Sequence, residues 1–206
     1  MQPILTLDHL VVAAETLAAG VAYVQDTLGV GMAAGGEHPA MATHNRLLSL
    51  GETYLEVIAI NPDAPAPGGA RWFALNAFRG PPRLTNWVAR CGDLNAALAL
   101  APPGAGRPMA LARGDLRWRM AVPDDGLLPF DGAFPGLIEW QGSAHPAQHL
   151  PGAGCSLQDL RLTHPDAPQL RDALARYDGG LERCVAPGAL AFQAVITTPN
   201  GPRVLT

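Results

Sequence analysis

Leu7-Asp8-His9-Leu10-Val11-Val12 and, further on, Tyr54-Leu55-Glu56-Val57-Ile58-Ala59-Ile60 decide the fold. Both are short runs of β-forming residues, and each carries a titratable residue where a buried strand would be apolar. The pair recurs as Leu84-Thr85-Asn86-Trp87-Val88-Ala89 and Gly136-Leu137-Ile138-Glu139-Trp140-Gln141. The spacing from His9 to Glu56 is close to that from Trp87 to Glu139. A unit repeated in this way predicts two half-sites facing one cleft.

Between the first two runs, Leu17, Val21, Val24 and Leu28 recur at helical spacing, with Thr16 placed to cap the start and Gly29 the end. A strand is expected over 30–34, then a Gly/Pro loop containing His38, then two strands over 43–50 and 53–60 joined by Gly51-Glu52. A two-residue turn opening with Gly sets Leu47 opposite Glu56. Leu48, Leu50, Leu55, Val57 and Ala59 then share the face that packs on the helix, with His44 at its strand end. Asn45, Leu47, Ser49, Tyr54, Glu56 and Ile58 share the cleft face.

The second unit repeats the order. A strand spans 84–91, Asp93 caps a short helix with Leu94, Ala97 and Leu98 inward, and strands follow over 109–113, 116–122 and 134–141. Alternation separates Arg117 and Arg119 from Leu116, Trp118, Met120 and Val122, and the arginines are expected toward the cleft. The expected fold is α+β: two tandem β-α-β-β-β modules (1–62 and 84–150) making an open barrel-like cleft. An exposed linker (63–83) joins them, and a C-terminal β-α-β extension (151–206) reads as a partial third repeat and a cover.

With 48% hydrophobic and only 16% charged residues, the 206-residue chain can bury a large core. A net charge of −4 without a Lys/Arg run argues against nucleic acid as a partner. No apolar run reaches the roughly 20 residues of a membrane span, and the N-terminus does not read as a signal peptide. Cys91, Cys155 and Cys184 are odd in number and widely spaced, which predicts structural thiols in a reducing cytoplasm. The expected partner is a small-molecule ligand, a homodimer being the one macromolecular partner left open. Gly35-Gly36 and Gly68-Gly69 lack the surroundings of a phosphate loop. Cys91 has no companion in sequence that would make it a nucleophile.

The motifs LDHLVV, THNRLLSLG with YLEVIAI, LTNWVARCGDL, LRWRMAVP and LPFDGAFPGLIEWQG with His145-Pro146 together resemble the vicinal oxygen chelate superfamily. More narrowly they resemble its glyoxalase-like domain proteins, over about 7–146. The resemblance implies a divalent metal (Zn, Mn, Ni or Fe) on His9, Glu56, Glu139 and the first-strand position of module two. Trp87 occupies that last position and cannot ligate, which leaves three protein ligands or no metal at all. Members of the superfamily include isomerases, ring-cleaving dioxygenases, epimerases, thiol transferases and metal-free drug-sequestering proteins, so the resemblance does not choose a reaction, and a metal-dependent lyase or isomerase is the enzyme it suggests here.

Two readings stay open. In one, a metal on His9, Glu56 and Glu139 binds adjacent oxygens of a small compound, Glu56 or Glu139 shuttles a proton, and Arg117 and Arg119 steer an anionic group. In the other, a metal-free cleft walled by Trp87, Tyr54 and Leu47, with Asn45 orienting the ligand, sequesters a small molecule. Without a metal, Glu56 and Glu139 require His9, Arg117 or Arg119 as partners. His145 and His149, flanking a turn, are expected to be structural.

Overall fold

The computed structural model describes residues 2–206. Module one runs β1 (Thr6–Ala13), α1 (Leu17–Leu28), β2 (Ala33–His38), β3 (Thr43–Ser49) and β4 (Tyr54–Ile60). Module two runs β5 (Arg83–Arg90), α2 (Leu94–Leu98), β6 (Arg107–Arg113), β7 (Leu116–Val122) and β8 (Gly136–Trp140). Their strands form one eight-stranded sheet in the order β2-β3-β4-β1-β5-β8-β7-β6, curled into a half-barrel. The repeat is visible in the pairing: β1 runs parallel to β4, β5 parallel to β8, and the two first strands pair antiparallel at the centre.

Module one follows its sequence closely. Thr16 Oγ1 accepts from the Ala19 N–H, and Gly29 closes α1 in the left-handed region (φ 70°) with its N–H on the Gln25 carbonyl. Leu50 N–H donates to the Thr53 carbonyl at the Gly51-Glu52 turn, and Leu47 lies opposite Glu56. Leu48, Leu55 and Val57 pack with Val24 and Leu28 on the convex side, while Ile58 joins Val11 and Ala13 on the concave side. The strand expected over 30–34 instead spans 33–38 and contains Gly35-Gly36. A register shift between Ala34 and Glu37 bends it, and a Cβ on Gly35 would sit 2.1 Å from the Asn45 carbonyl oxygen, so only glycine admits this approach.

Module two reverses the expected faces. Leu84, Trp87, Ala89 and Leu137 belong to the convex core, whereas Val88, Trp118, Met120, Val122 and Ile138 face inward. The reason lies in residues 63–83, expected to be exposed. Trp72, Phe73, Leu75 and Phe78 from this segment are all buried, packed inside the curl of the sheet against Val11, Ile58, Val88 and Trp118. An interior plugged by four large apolar side chains, each worth about 1.5–3 kcal/mol when buried, selects the apolar face of β7 and β8 and turns the arginines outward. Phe73 and Ala74 hold positive φ (55° and 51°), which bends the plug into place.

After the short α3 (Pro146–His149), the extension adds β9 (Ser156–His164), α4 (Ala167–Leu174), β10 (Val185–Pro187), β11 (Ala191–Thr198) and β12 (Gly201–Leu205). These strands make a second sheet, β10-β9-β11-β12. Leu162, Leu170, Leu174, Phe192 and Ile196 merge with the convex core around Trp87 and Leu94, so the extension covers the back of the large sheet. Among the described residues no helix is long and apolar enough to cross a membrane, and the three cysteines are free.

Candidate functional site

The concave face at the His9 end encloses a small chamber of about 40 Å³. Its walls include His9, Asn45, Leu47, Tyr54 and Glu56 from module one and Trp118, Met120, Ile138, Trp140 and Arg113 from module two, with Trp72 and Phe73 of the plug as its floor.

At its centre stands an imidazole between two carboxylates. His9 Nδ1–H donates to Asp8 Oδ1 at 2.7 Å, and His9 Nε2 faces Glu56 Oε2 at 3.5 Å. Adjacent residues of a regular strand point to opposite faces, but the register of β1 against β5 shifts between Leu7 and His9, and that irregularity brings both side chains to one end of the cleft. Asp8 is wholly buried, and its other oxygen accepts from Trp140 Nε1 (2.9 Å) and His145 Nε2 (3.0 Å). His145 Nδ1 accepts the Ala147 N–H at the start of α3, which leaves Nε2–H to donate to Asp8.

The electrostatics follow from these contacts. Burial opposes charge on His9, but the bonds and charges of Asp8 and Glu56 outweigh it and lift its pKa to about 9, so the ring is an imidazolium at neutral pH. Burial likewise opposes charge on Glu56, and His9, His38 and Asn45 overcome it, drawing the carboxyl down to about 2. Asp8 is held far below the usual carboxylate range by His145 and His9 despite its burial. Asn45 Nδ2 donates to Glu56 Oε1 at 2.5 Å, while its Oδ1 accepts from the Gly36 N–H at 2.7 Å. Tyr54 stacks flat on the His9 ring (centroids 4.5 Å apart, 15° between planes), and burial together with the Asp8 and Glu56 charges keeps its phenol well above its usual pKa.

Two further groups complete the chamber. His38, at the end of β2, is buried and not on an exposed loop; burial draws its pKa down to about 4, so the ring is neutral. Its Nδ1 meets Thr43 Oγ1 at 3.2 Å and its Nε2 meets Arg113 Nη1 at 3.4 Å. Arg113 Nη1 also donates to Asn45 Oδ1 at 3.3 Å.

Of the residues expected at the site, the fold thus brings together His9, Glu56, Asn45, Tyr54 and Leu47. Four others lie elsewhere. Trp87 is a convex-core residue whose Nε1 donates to the Ala133 carbonyl; the cleft-side position beside it is Asn86, whose amide donates to the Gly132 carbonyl. Glu139 also lies on the convex side, accepting from the Leu94 N–H at the start of α2 (2.7 Å) and from Arg119. It braces that helix and does not converge with His9 and Glu56. Arg119 is committed to Glu139, its cross-strand neighbour, and Arg117 is exposed, bonded to the Gly114 and Leu116 carbonyls. Asp8, His38, Arg113, Trp140 and His145 are the site residues that sequence reasoning missed. The signal for Asp8 was present, an ionisable residue in the middle of an apolar strand.

A divalent metal does not fit these groups. The chamber holds two imidazoles, His9 and His38, and one carboxylate, Glu56, but His9 Nδ1 is tied to Asp8, His38 Nε2 meets Arg113, and the guanidinium of Arg113 stands on the same wall. Among the described residues no cluster of three His, Cys, Asp or Glu has the geometry of a metal centre.

A family model described as "Glyoxalase-like domain" matches residues 7–177. No protein of curated function matches the chain. Among solved structures, a hypothetical protein from Staphylococcus aureus superposes with a TM-score of 0.59 at 13% identity, over 98% of this chain and 84% of that one. Methylmalonyl-CoA epimerase from Mycobacterium tuberculosis gives 0.43 at 18% identity, over 67% of this chain and 88% of that one. A hypothetical protein from Bacillus halodurans C-125 gives 0.46 at 14%, over 68% and 98%. At 13% identity the first of these likenesses is one of fold alone.

Proposed function

Because the chain belongs to the glyoxalase-like domain family of the vicinal oxygen chelate superfamily, a fold that hosts several chemistries, we propose its reaction from the chamber alone: isomerase-type proton transfer, without a metal, on a small carbonyl compound. The observation that carries this reading is the Asp8–His9–Glu56 array, a buried imidazolium with one carboxylate fixed behind it and a second in front.

The division of labour follows from the distances. Asp8 fixes the ring and its charge through Nδ1, so Nε2–H is the end that meets substrate. The 3.5 Å between Nε2 and Glu56 is long for a hydrogen bond, so a carbonyl oxygen can take the Nε2–H without breaking a good one. Glu56 then loses part of the stabilisation that holds its pKa near 2 and becomes a stronger base. It removes a proton from the carbon next to the carbonyl; the C–H electrons form the carbon–carbon double bond of an enolate, whose oxygen accepts from His9. Return of the proton to the opposite face of the planar enolate carbon, with the carbonyl restored, completes an isomerisation. Buried walls of Trp118 and Tyr54, with partly buried Trp140, exclude water from the enolate.

The test is hydrogen–deuterium exchange at the carbon beside the carbonyl, followed by NMR with small 2-oxo acids and their methyl esters in D2O. Catalysed exchange by the wild type, lowered about 100-fold or more in Glu56→Gln, is expected. Exchange at the same rate in both proteins overturns the assignment. The aromatic lining favours a second reading, metal-free sequestration; tight binding with no exchange would select it.

A further inference from the structure

Resting on the chamber assigned above, we propose that Arg113 is its carboxylate-recognising residue, so that the substrates are small carboxylic acids, and that Gly36 positions it. Arg113 ends β6, an edge strand of the large sheet, yet its guanidinium crosses to the opposite edge and meets residues of β2 and β3. Among the described residues these are the hydrogen bonds that join the two edges.

Both of its chamber partners are neutral acceptors. Asn45 Oδ1 lies at 3.3 Å and His38 Nε2 at 3.4 Å, at or beyond the long end for N–H hydrogen bonds. A guanidinium presents five donors in a planar fork that suits the two oxygens of a carboxylate. Within the chamber the carboxylates are already engaged: Asp8 holds three donors, and Glu56 is bonded by Asn45 and faces His9. Arg113 is therefore the cation whose bidentate capacity is unused. An incoming carboxylate exchanges two long neutral contacts for charge-assisted ones, while Asn45 keeps its bond to Glu56 and the Gly36 N–H.

Gly36 fixes where the fork lies. A Cβ at this position would stand 2.7 Å from Arg113 Cδ and 3.1 Å from Nη1. The clash is with a flexible side chain, so Gly36→Ala moves the guanidinium without disturbing the sheet. Sequence alone hid this pairing, because the two residues come from different modules.

The experiment titrates the full chain calorimetrically with small 2-oxo acids, glyoxylate, pyruvate and 2-oxobutyrate, and with the methyl ester of each. Wild type is expected to bind at least one acid and to bind its ester about 10- to 100-fold more weakly, as loss of a charge-assisted pair implies. Arg113→Met and Gly36→Ala should weaken acid binding by a similar factor and so remove the preference for acid over ester, with melting temperatures close to wild type. Equal binding of acid and ester, binding of none of the acids at millimolar concentration, or acid binding indifferent to Arg113→Met overturns the proposal. Deuterium exchange separates this claim from the preceding one. Arg113-dependent binding without exchange removes proton transfer and leaves carboxylate recognition standing, whereas exchange that is equal for acid and ester and unchanged in Arg113→Met does the reverse.

Discussion

His9 and Asp8, neighbours in the chain, form a buried hydrogen bond 2.7 Å long between side chains that a regular strand would send to opposite faces. The irregularity in β1 that permits it supplies the protein with a buried imidazolium at the centre of its chamber at neutral pH. Most of what can be tested about the site follows from that charge.

Stability should fall at alkaline pH. The His9 pKa rises from 6.5 in the unfolded chain to about 9 in the fold, so the folded state binds the extra proton between these values. Its contribution is full below pH 6.5 and is lost as pH rises through about 9. Glu56 behaves oppositely: lowered from 4.5 to about 2, it contributes above pH 4.5 and its contribution disappears as pH falls through about 2. Buried His38, held down to about 4, acts in the opposite sense and loses stability as pH falls from 6.5 toward 4, so melting temperatures should be highest near pH 6.5 and decline both toward pH 4 and toward pH 9. His9→Gln should flatten the alkaline decline, and an NMR titration of wild type should place the His9 midpoint near 9. A midpoint near 6.5 would contradict the array.

Asp8→Asn should be among the most damaging conservative changes. It leaves the imidazolium with Glu56 alone and replaces a carboxylate that accepts from Trp140 and His145 by an amide with a single acceptor oxygen. Breaking a buried pair of this kind costs about 3–5 kcal/mol. Urea denaturation should show a loss on that scale, together with a lowered His9 pKa. A loss below about 1 kcal/mol would mean that the pair is not the anchor described.

Glu139→Gln provides the contrast. Glu139 accepts the Leu94 N–H at the start of α2 on the convex side, away from the chamber. Gln keeps an acceptor oxygen for the Leu94 N–H but loses the charge that Arg119 meets, so the expected cost is about 1 kcal/mol, with ligand binding and deuterium exchange unaltered. A large loss of exchange would return Glu139 to the functional site.

Module one was legible because one turn, Gly51-Glu52, fixed a register, and that register put Asn45, Tyr54 and Glu56 on one face. Alternation alone could not orient module two, since a strand's two faces are equivalent until something packs on one of them. That something is Trp72-Phe73-Ala74-Leu75, set in a Pro/Gly-rich stretch whose composition reads as linker although its aromatic residues are those of a core. Asn86, not Trp87, consequently holds the cleft-side position. Arg113 was illegible for another reason: its contacts with Asn45 and His38 span most of two modules and depend on how far the sheet curls.

The plug yields a further prediction. Phe73 forms part of the floor of the 40 Å³ chamber and also a wall of a larger cavity of about 490 Å³ between the plug, β5 and the C-terminal sheet. Its left-handed backbone (φ 55°) is costly for an aromatic residue and is held by the packing of Trp72, Leu75 and Phe78. Phe73→Ala should destabilise by about 3–5 kcal/mol and join the two spaces. Binding of an apolar fluorescent dye should rise in this variant at temperatures where it remains folded. Unchanged dye binding would mean that another side chain separates them.

Metal titration is the strictest check on the donor set. A protonated His9, a His38 that meets Arg113 and one carboxylate with a depressed pKa should give metal-stripped wild type no micromolar affinity for Zn, Mn, Ni or Fe(II) at pH 7.5. Micromolar binding corresponds to about −8 kcal/mol. To ligate, His9 must first give up the proton that Asp8 and Glu56 hold on it, and that cost is subtracted from any coordination energy. Raising the pH toward 9 should therefore improve whatever weak binding exists, and Glu56→Gln should change it little in absolute terms. Calorimetry showing micromolar binding at pH 7.5 that disappears in Glu56→Gln would establish a metal centre on His9 and Glu56 and displace the imidazolium from the reaction proposed.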